Sequence, residues 1–510
     1  MPRYAAIDIG SNSIRMMAAE VEPRAPIRTL AEDRQVTRLG ESVFRTGSID
    51  PVVLDYVCTV LQRMVAACRP LGILASRVVA TAAVRDASNS EDFIERVNAI
   101  LDQPVEVISG QEEARLIHLG VESRWPHPTE RILIVDIGGG SAEIIEAEEG
   151  KLRTAFSRPL GAVRLHSVFL QNDPPAPEDL RRMDDFIDQK LAVALRRIEA
   201  GGFTRAIGTS ASASAIVSAA NRIPRLRRDE ADRRRATLPQ IRKLYKMLAA
   251  MPLSQRRTVT GIGPRRAEII VPGAAVLVKV LDQFKIPQLA YCAGGLRDGI
   301  IRDLANRGAG HERARLQSDQ RLLVEQFARR FAVDLKHARK VAAFARDLFH
   351  VLAPWHRLEP EQGRLLEAAA MLRDVGHAIN DMSHHKHSQY IVANSDLAGF
   401  TDQERLEVAM LCRYHRKSMP ALRHGDFQAL LPGRQKVVLL LAPILRIADA
   451  LDRSRDQRID HIECELTLAG LTIALHSEFD TALEQWAVER VAPEFRQTFQ
   501  RPLVTSAVRQ

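Results

Sequence analysis

The stretch RILIVDIGGGSAEII, residues 131–145, constrains this chain more than any other. Ile132 to Val135 is an apolar run that predicts a buried strand. Asp136 stands at its end, and Gly138, Gly139 and Gly140 turn the chain into a second strand. Glycines let backbone N–H groups approach an anion closely, in conformations closed to residues with a Cβ. The same pattern stands at residues 4–17, YAAIDIGSNSIRMM: a strand ends at Asp8, Gly10 makes the turn, and Ser11, Asn12 and Ser13 offer hydroxyl and amide groups. One strand-Asp-Gly turn is ordinary turn chemistry. Two copies, each closing one apolar strand and opening another, predict a duplicated fold with two facing phosphate-binding turns. A carboxylate at each turn suits a hard cation, since magnesium takes one or two carboxylates together with phosphate oxygens and water.

The pattern around each turn repeats. In the first 125 residues it predicts strands at 4–9, 14–21 and 27–38, a helix from Pro51 to Cys68 and a strand at 77–80. A loop at 81–88, a helix from Ser90 to Leu101, a strand at 105–108 and a helix from Gln111 to Glu122 follow. WPHPT at 125–129 breaks the pattern. The second half restarts it with strands at 131–136, 142–149 and 151–157, a helix from Pro177 to Ile198 and a strand at 203–207. A glycine-hydroxyl turn at 208–214, helices near 238–250 and 265–284, a strand at 288–291 and a last helix opened by CAGGLRDGII complete it. This order predicts a two-lobed, actin-like core (the ribonuclease H-like, ASKHA class) with lobes at 1–125 and 126–305 and substrate in the cleft between them. Residues 306–320 are polar and read as a linker. From Arg321 the apolar spacing is helical to about Asp452. A small β pair at 460–475, a helix from Thr481 to Val491 and a tail follow.

At 510 residues the chain is too long for one ordinary domain. Five scattered cysteines (Cys58, Cys68, Cys292, Cys412, Cys464) point to a reducing cytoplasm. The first residues enter a strand directly, which predicts no secretory leader, and the longest apolar stretch, 437–445, is far short of a membrane span. Net charge is +9, which leaves two readings: a solvated basic surface or an anionic partner. The densest basic run, RLRRDEADRRRA at 225–236, interleaves acids and lacks stacking aromatics, which argues against a dedicated nucleic-acid site.

Six motifs in fixed order carry a resemblance: DIGSNS at 8–13, TAAVRDA at 81–87, ISGQEEARLI at 108–117, DIGGGSAE at 136–143, GTSAS at 208–212 and GGLRDG at 294–299. Residues 1 to about 305 resemble the exopolyphosphatase / guanosine pentaphosphate phosphatase family. LCRYHRK at 411–417 and HHKHSQYI at 384–391 resemble the helical, HD-type extension of its long members. The resemblance implies a water-attack hydrolysis of a phosphoanhydride, which needs a positioned water, a base and charge neutralisation. It makes Glu113 the candidate base, although the residues alone do not separate Glu113 from Glu112, both first-turn glutamates of one helix. It makes Asp136 and Glu143, and less directly Asp8, magnesium ligands, with manganese as an alternative and a monovalent potassium ion as an addition. It places Arg85 on phosphate oxygens, and gives Ser11, Asn12, Ser13, Gly139, Gly140, Ser141, Thr209 and Ser210 as neutral donors. One departure stands in the third turn, where Ala211 replaces the family's glycine, with an expected restriction on how closely that turn approaches a chain end.

The C-terminal region holds six of the fifteen histidines, between His377 and His424. An active HD hydrolase needs a distant His, an adjacent His-Asp pair and a later Asp. Here His337 and Asp449 suit the ends, but the pair reads Arg373-Asp374, and arginine does not ligate metal. His384, His385, His387 and His415 remain as metal or anion ligands or as a polar loop bonded to backbone. The expectation is a mainly structural domain that supports a homodimer and a basic channel. The whole chain then reads as a cytoplasmic hydrolase releasing orthophosphate from inorganic polyphosphate, or the terminal phosphate of guanosine pentaphosphate, with no membrane and no specific nucleic acid as partner. Two rivals stand beside it: a phosphotransferase of the same fold, and a non-catalytic sensor of polyphosphate or alarmone.

Overall fold

The computed structural model describes residues 1–22, 25–101, 103–306, 314–467 and 469–509. The chain forms two compact units, Met1–Asn306 and Arg307–Gln510. In the first, Arg3–Ile9 (β1), Ser13–Glu20 (β2), Arg28–Val36 (β3), Ala75–Ala80 (β4) and Val105–Val107 (β5) form one sheet in the order β3-β2-β1-β4-β5. Arg131–Ile137 (β6), Ala142–Glu148 (β7), Lys151–Arg158 (β8), Arg205–Gly208 (β9), Arg235–Thr237 (β10) and Gln288–Tyr291 (β11) form a second, in the order β10-β11-β9-β6-β7-β8. Read from β8, the second sheet repeats the first and adds one edge strand.

The repeat extends to register. β1 pairs antiparallel with β2 and parallel with β4, as β6 does with β7 and β9. Asp8 stands opposite Arg15 and Asp136 opposite Glu143, so the two hairpins are equivalent residue for residue. β1 and β6 are central and buried almost throughout, which is why both read as apolar runs rather than alternations.

Four short helices were not legible as such. Leu39–Thr46 and Ala162–Phe169 each follow a third strand, Ala82–Asp86 occupies the expected 81–88 loop, and Ala211–Ala220 occupies the expected glycine-hydroxyl turn. The last has the sequence ASASAIVSAA and is mostly buried, so no polar face marks its period. Helix Pro51–Leu71 is, among the described residues, long and apolar enough to cross a membrane by length and composition. Its Leu54, Val57, Leu61 and Met64 pack into the core of the first sheet. All five cysteines are free.

Helix Leu296–Asn306 lies inside the range expected for the second lobe but packs on the first sheet. Its Ile300, Ile301 and Leu304 share a core with Tyr4, Ala6, Val79 and Leu116. It lies against helix Gly110–Arg124 at backbone contact: a Cβ on Gly299 would stand 1.7 Å from the Leu116 carbonyl oxygen, and one on Gly120 2.0 Å from that of Gly295. A buried ion network ties the same pair. Glu112 accepts from Arg115 at 2.8 Å and from Arg77 of β4 at 3.1 Å, and Arg115 reaches Asp303 at 2.8 Å.

In the second unit helices surround a core of Val341, Phe344, Leu348, Leu366, Leu411 and Leu441 among others. His461–Leu466 (β12), Leu471–Ser477 (β13) and Leu503–Arg509 (β14) form a three-stranded sheet in sequence order. β12 and β13 are the expected pair. β14 lies in the expected tail and runs parallel to β13. Of the expected linker, 307–313 fall outside the described residues, and helix Ser318–Arg330 begins within its range.

The helix contact yields a test. Gly299→Ala forces a Cβ into a backbone oxygen, so the expected loss is about 1–3 kcal/mol, as for other overpacked cores. A lowered urea midpoint with an unchanged slope is the predicted result.

Candidate active site

The two hairpins meet. A Cβ on Gly139 would lie 2.9 Å from Ser11 Cβ and 3.2 Å from the Asn12 nitrogen, and one on Gly140 would lie 2.7 Å from Ser11 Oγ and 2.8 Å from Ala82 Cβ. None of Gly10, Gly138, Gly139 and Gly140 has positive φ. The expectation that these glycines adopt conformations closed to other residues is therefore corrected: at Gly139 and Gly140 space, not backbone torsion, requires glycine.

Carbonyls of both turns are drawn into helix N-termini. Gly138 accepts from Ala162 at 3.0 Å and Gly139 from Val163 at 2.9 Å, while Arg164 Nε donates to the Gly140 carbonyl at 2.7 Å. In the first lobe Ser11 accepts from Gly40 at 2.7 Å, and Asn12 from Thr37 and Arg38. In a trans peptide N–H and C=O point in opposite directions. The N–H groups of Asn12, Ser13, Gly139, Gly140 and Ser141 are thereby turned away from those helices, and all five residues line one cavity.

That cavity has a volume of about 120 Å³. Its wall holds Asp8, Ser11, Asn12, Ser13, Glu113, Asp136, Gly139, Gly140, Ser141, Thr209 and Ser210, brought from both lobes. Glu143 and Arg85 stand outside the wall: Glu143 is buried beside Asp136 and accepts from Ser157 Oγ at 2.7 Å, and Arg85 Nη1 bonds the Ile108 carbonyl at 2.6 Å. Thr209 donates its hydroxyl to Asp136. Ser210 caps helix Ala211–Ala220, accepting from Ala213 at 3.3 Å. Ala211, where the family's glycine was expected, is the first residue of that helix and lines the cavity. A helix N-terminus facing the cavity is itself an anion site.

Glu112 and Glu113 separate cleanly in space. Ser109 caps their helix, and the next two side chains diverge: Glu112 into the Arg77–Arg115–Asp303 network, Glu113 into the cavity. Glu113 Oε2 is buried with no hydrogen-bond partner, and Arg85 Nη1 lies 3.8 Å from it. Burial and the neighbouring Glu143 carboxylate hold the Glu113 carboxyl well above the usual range. Burial, then Asp136, pushes Glu143 up to about 7 against the bonds from Ser157 and Ser141. Burial lifts Asp8 to about 6 although Arg15 and Arg297 oppose it, and lifts Asp136 despite Thr209. Four carboxyls, Glu113 and Glu143 buried and Asp8 and Asp136 partly buried, with one orphaned oxygen fit a divalent cation. Among the described residues no three of them bring ligand atoms within 4.8 Å of one another, which suits an ion held partly by phosphate and water.

Three arginines were missed: Arg15, Arg266 and Arg297 also line the cavity. Arg15 had a signal, being the register partner of Asp8 as Glu143 is of Asp136. Arg297 lies within the GGLRDG motif, while Arg266 had none. A second cavity of about 670 Å³ shares Asn12, Arg15, Thr209, Arg266 and Arg297 with the first, and adds Arg34, Arg124, Arg225, Arg228 and Arg265. These cations strain one another. Burial followed by Arg34 and Arg15 pushes Arg266 down to about 9, and burial followed by Arg15 pushes Arg34 down to about 10.

In the second unit the expected break is visible. Arg373, fully buried, donates through Nε to Asp449 Oδ1 at 2.6 Å and contacts His337 Nε2 and the Asp374 carboxylate. Its guanidinium lies among His337, Asp374 and Asp449.

A model of the Ppx/GppA phosphatase family matches residues 17–307, and one of Ppx/GppA phosphatase domain III matches residues 321–490. The chain belongs to the Ppx/GppA phosphatase family. Among solved structures, an exopolyphosphatase-like protein is 28% identical over 60% of this chain and 98% of its own, with a TM-score of 0.57. A Ppx/GppA family member from Aquifex aeolicus is 26% identical over 61% of this chain and 99% of its own, with a TM-score of 0.53. An exopolyphosphatase from Cytophaga hutchinsonii, at 24% identity, 60% and 99% coverage and a TM-score of 0.56, supports the fold. The Ppx/GppA core is the actin-like α/β fold with mixed sheets, and its members are phosphatases.

The raised carboxyls carry a pH signature. A carboxyl whose folded pKa exceeds its unfolded value holds its proton more tightly when folded, so stability falls as pH climbs from the ordinary glutamate range through about 7. In divalent-free buffer, Glu143→Gln is therefore predicted to be more stable than the parent at about pH 8, by on the order of 3 kcal/mol. The gain should vanish near pH 4. Thermal melts at the two pH values check it.

Proposed function

We propose that this Ppx/GppA phosphatase is an exopolyphosphatase, releasing orthophosphate processively from the ends of inorganic polyphosphate. The observation that carries the reading is the union of the two cavities. A small, glycine-walled end holding Glu113 opens into a larger space lined by arginines that repel one another. A chain of phosphates supplies the missing negative charge along the whole path, with its terminal unit among the turn N–H groups. Arginine suits phosphate oxygens because its planar fork binds two at once.

In this mechanism the N–H groups of both turns, the hydroxyls of Ser11 and Ser13 and the N-terminus of helix Ala211–Ala220 fix the terminal phosphoryl, while the Thr209 and Ser141 hydroxyls, expected as phosphoryl donors, are spent on Asp136 and Glu143. Arg85 adds a cation beside Glu113. Glu113 orients a water against the terminal phosphorus and takes its proton at the unpaired Oε2; burial and the neighbouring Glu143 raise its affinity for that proton. Asp136 and Glu143, with Asp8, would hold magnesium or manganese. Such an ion, when bound, neutralises charge on the phosphate oxygens. The leaving group is the shortened chain, held by the arginines of the larger cavity.

Guanosine pentaphosphate is the second reading. The larger cavity has room for a nucleoside, and Tyr291 lies in its wall. The second unit we read as an HD-like domain whose hydrolytic centre Arg373 has closed, serving a cytoplasmic homodimer.

Orthophosphate release from long-chain polyphosphate and from guanosine pentaphosphate, measured side by side with magnesium, tests the proposal. Glu113→Gln is predicted to lower kcat by about 10²–10⁴, the usual contribution of a general base, and polyphosphate should be the faster substrate. Phosphate appearing on an acceptor would identify a phosphotransferase. Tight binding without release, unchanged in Glu113→Gln, would identify a sensor.

A further inference from the structure

The second unit contains an imidazole cluster that the proposed hydrolysis leaves unused. Asp374 precedes a short turn, Val375–Ala378, that carries His377. His384 opens helix His384–Ala393, and His415 caps the end of helix Asp402–Tyr414. Asp374 Oδ1 lies 3.7 Å from both His377 Nε2 and His384 Nε2, and one ligand atom from each of the three lies within 4.8 Å of the others. His384 Nε2 stands 3.3 Å from His415 Nε2.

The other ring nitrogens decide what these four groups present. His377 Nδ1 lies 2.6 Å from Asp381 Oδ1, His384 Nδ1 3.2 Å from the Asp381 carbonyl oxygen, and His415 Nδ1 2.7 Å from the Cys412 carbonyl oxygen. Oxygen acceptors place the proton of a neutral ring on Nδ1, which leaves each Nε2 with a lone pair. His377 Nε2 is buried with no partner. Ligand atoms of Asp374, His377 and His384 are therefore gathered within 4.8 Å of one another, with His415 beside His384, and that arrangement suits a cation. Asp374 divides its two oxygens accordingly, with Oδ2 facing Arg455 at 3.2 Å and Arg373 at 3.7 Å, and Oδ1 facing the histidines.

We infer that Asp374, His377, His384 and His415 form a binding site for a divalent transition metal of the zinc class. Two nitrogens about 2.05 Å from one tetrahedral ion stand about 3.3 Å apart, which is the separation of His384 and His415. Imidazole-rich sites select zinc, cobalt or nickel over magnesium. Each ligand histidine donates its second nitrogen to a carbonyl or carboxylate, the pattern that orients metal-bound imidazoles. The site shares Asp374 with the space filled by Arg373 but uses its other oxygen. Its mouth opens on a cavity of about 290 Å³, where Arg416 is exposed on a long side chain and is free to swing aside as an ion enters. A metal there staples the Val375–Ala378 turn to the ends of two helices.

The test uses the full-length protein, stripped with chelator and titrated with Co²⁺ and then Zn²⁺ in excess Mg²⁺. Bound Co²⁺ should give the strong visible absorption of a four-coordinate ion, abolished by about one equivalent of Zn²⁺. His384→Ala and His415→Ala should lose this spectrum and weaken Zn²⁺ binding at least about tenfold. Glu143→Gln and His387→Ala should keep both. Absence of a four-coordinate spectrum in the unaltered protein overturns the inference, whatever the variants do. So does a spectrum that survives both histidine substitutions or disappears in Glu143→Gln.

Discussion

The close approach of two turns sets the geometry of the first unit. Gly139 and Gly140 stand where any Cβ would strike Ser11, Asn12 or Ala82, and Gly161 stands where a Cβ would lie 2.3 Å from the Gly139 carbonyl oxygen. Because the turns touch, β1 and β6 bring Asp8 and Asp136 to one cavity. Because helices Leu39–Thr46 and Ala162–Phe169 take up the turn carbonyls, the amide groups are left for an anion. A backbone cradle of this kind carries no charge of its own to be screened, and it costs no side-chain entropy when ligand binds.

Around that cradle the charges are sorted by sign. Asp8, Glu113, Asp136 and Glu143 are wholly or partly buried and held toward the protonated form, while Arg15, Arg34 and Arg266 are crowded and held toward the neutral one. Neither set is comfortable alone. A cation among the carboxylates and a polyanion along the arginines relieve both at once, so affinity for substrate and for metal should reinforce each other. The helix carrying Glu113 is meanwhile held by contacts away from the cavity, through Gly120, Gly299 and the Glu112–Arg115–Asp303 network. A site under this much electrostatic strain needs such a rigid support.

Much of this was legible in the sequence because strands and turns are local. Two Asp-Ile-Gly hairpins gave the duplication, and the order of elements around them gave the two sheets. Elements without a local period were hidden: ASASAIVSAA has no polar face to mark a helix, and β14 reads as a tail because its partner β13 stands 32 residues earlier, Leu471 pairing with Leu503 across two intervening helices. Glu112 and Glu113 look alike in one dimension and differ only when Arg77, Arg115 and Asp303 arrive from three other segments. Arg266 had no motif around it. Arg15 was visible in principle, since two equivalent hairpins place it where the other holds Glu143, but that comparison needs the register. The histidine cluster was seen as composition; which nitrogens face inward depends on hydrogen bonds to Asp381 and Cys412 that spacing alone does not reveal.

Attack of water on the terminal phosphorus is the centre of the account, and isotopic oxygen reads it directly. Polyphosphate hydrolysed in ¹⁸O-labelled water, with products resolved by mass, should place one labelled oxygen in each released orthophosphate and none in the shortened chain. Label in the remaining chain would mean that water enters elsewhere, and orthophosphate without label would mean that water does not attack the released phosphorus. Either result would contradict a Glu113-oriented water at the end of the chain.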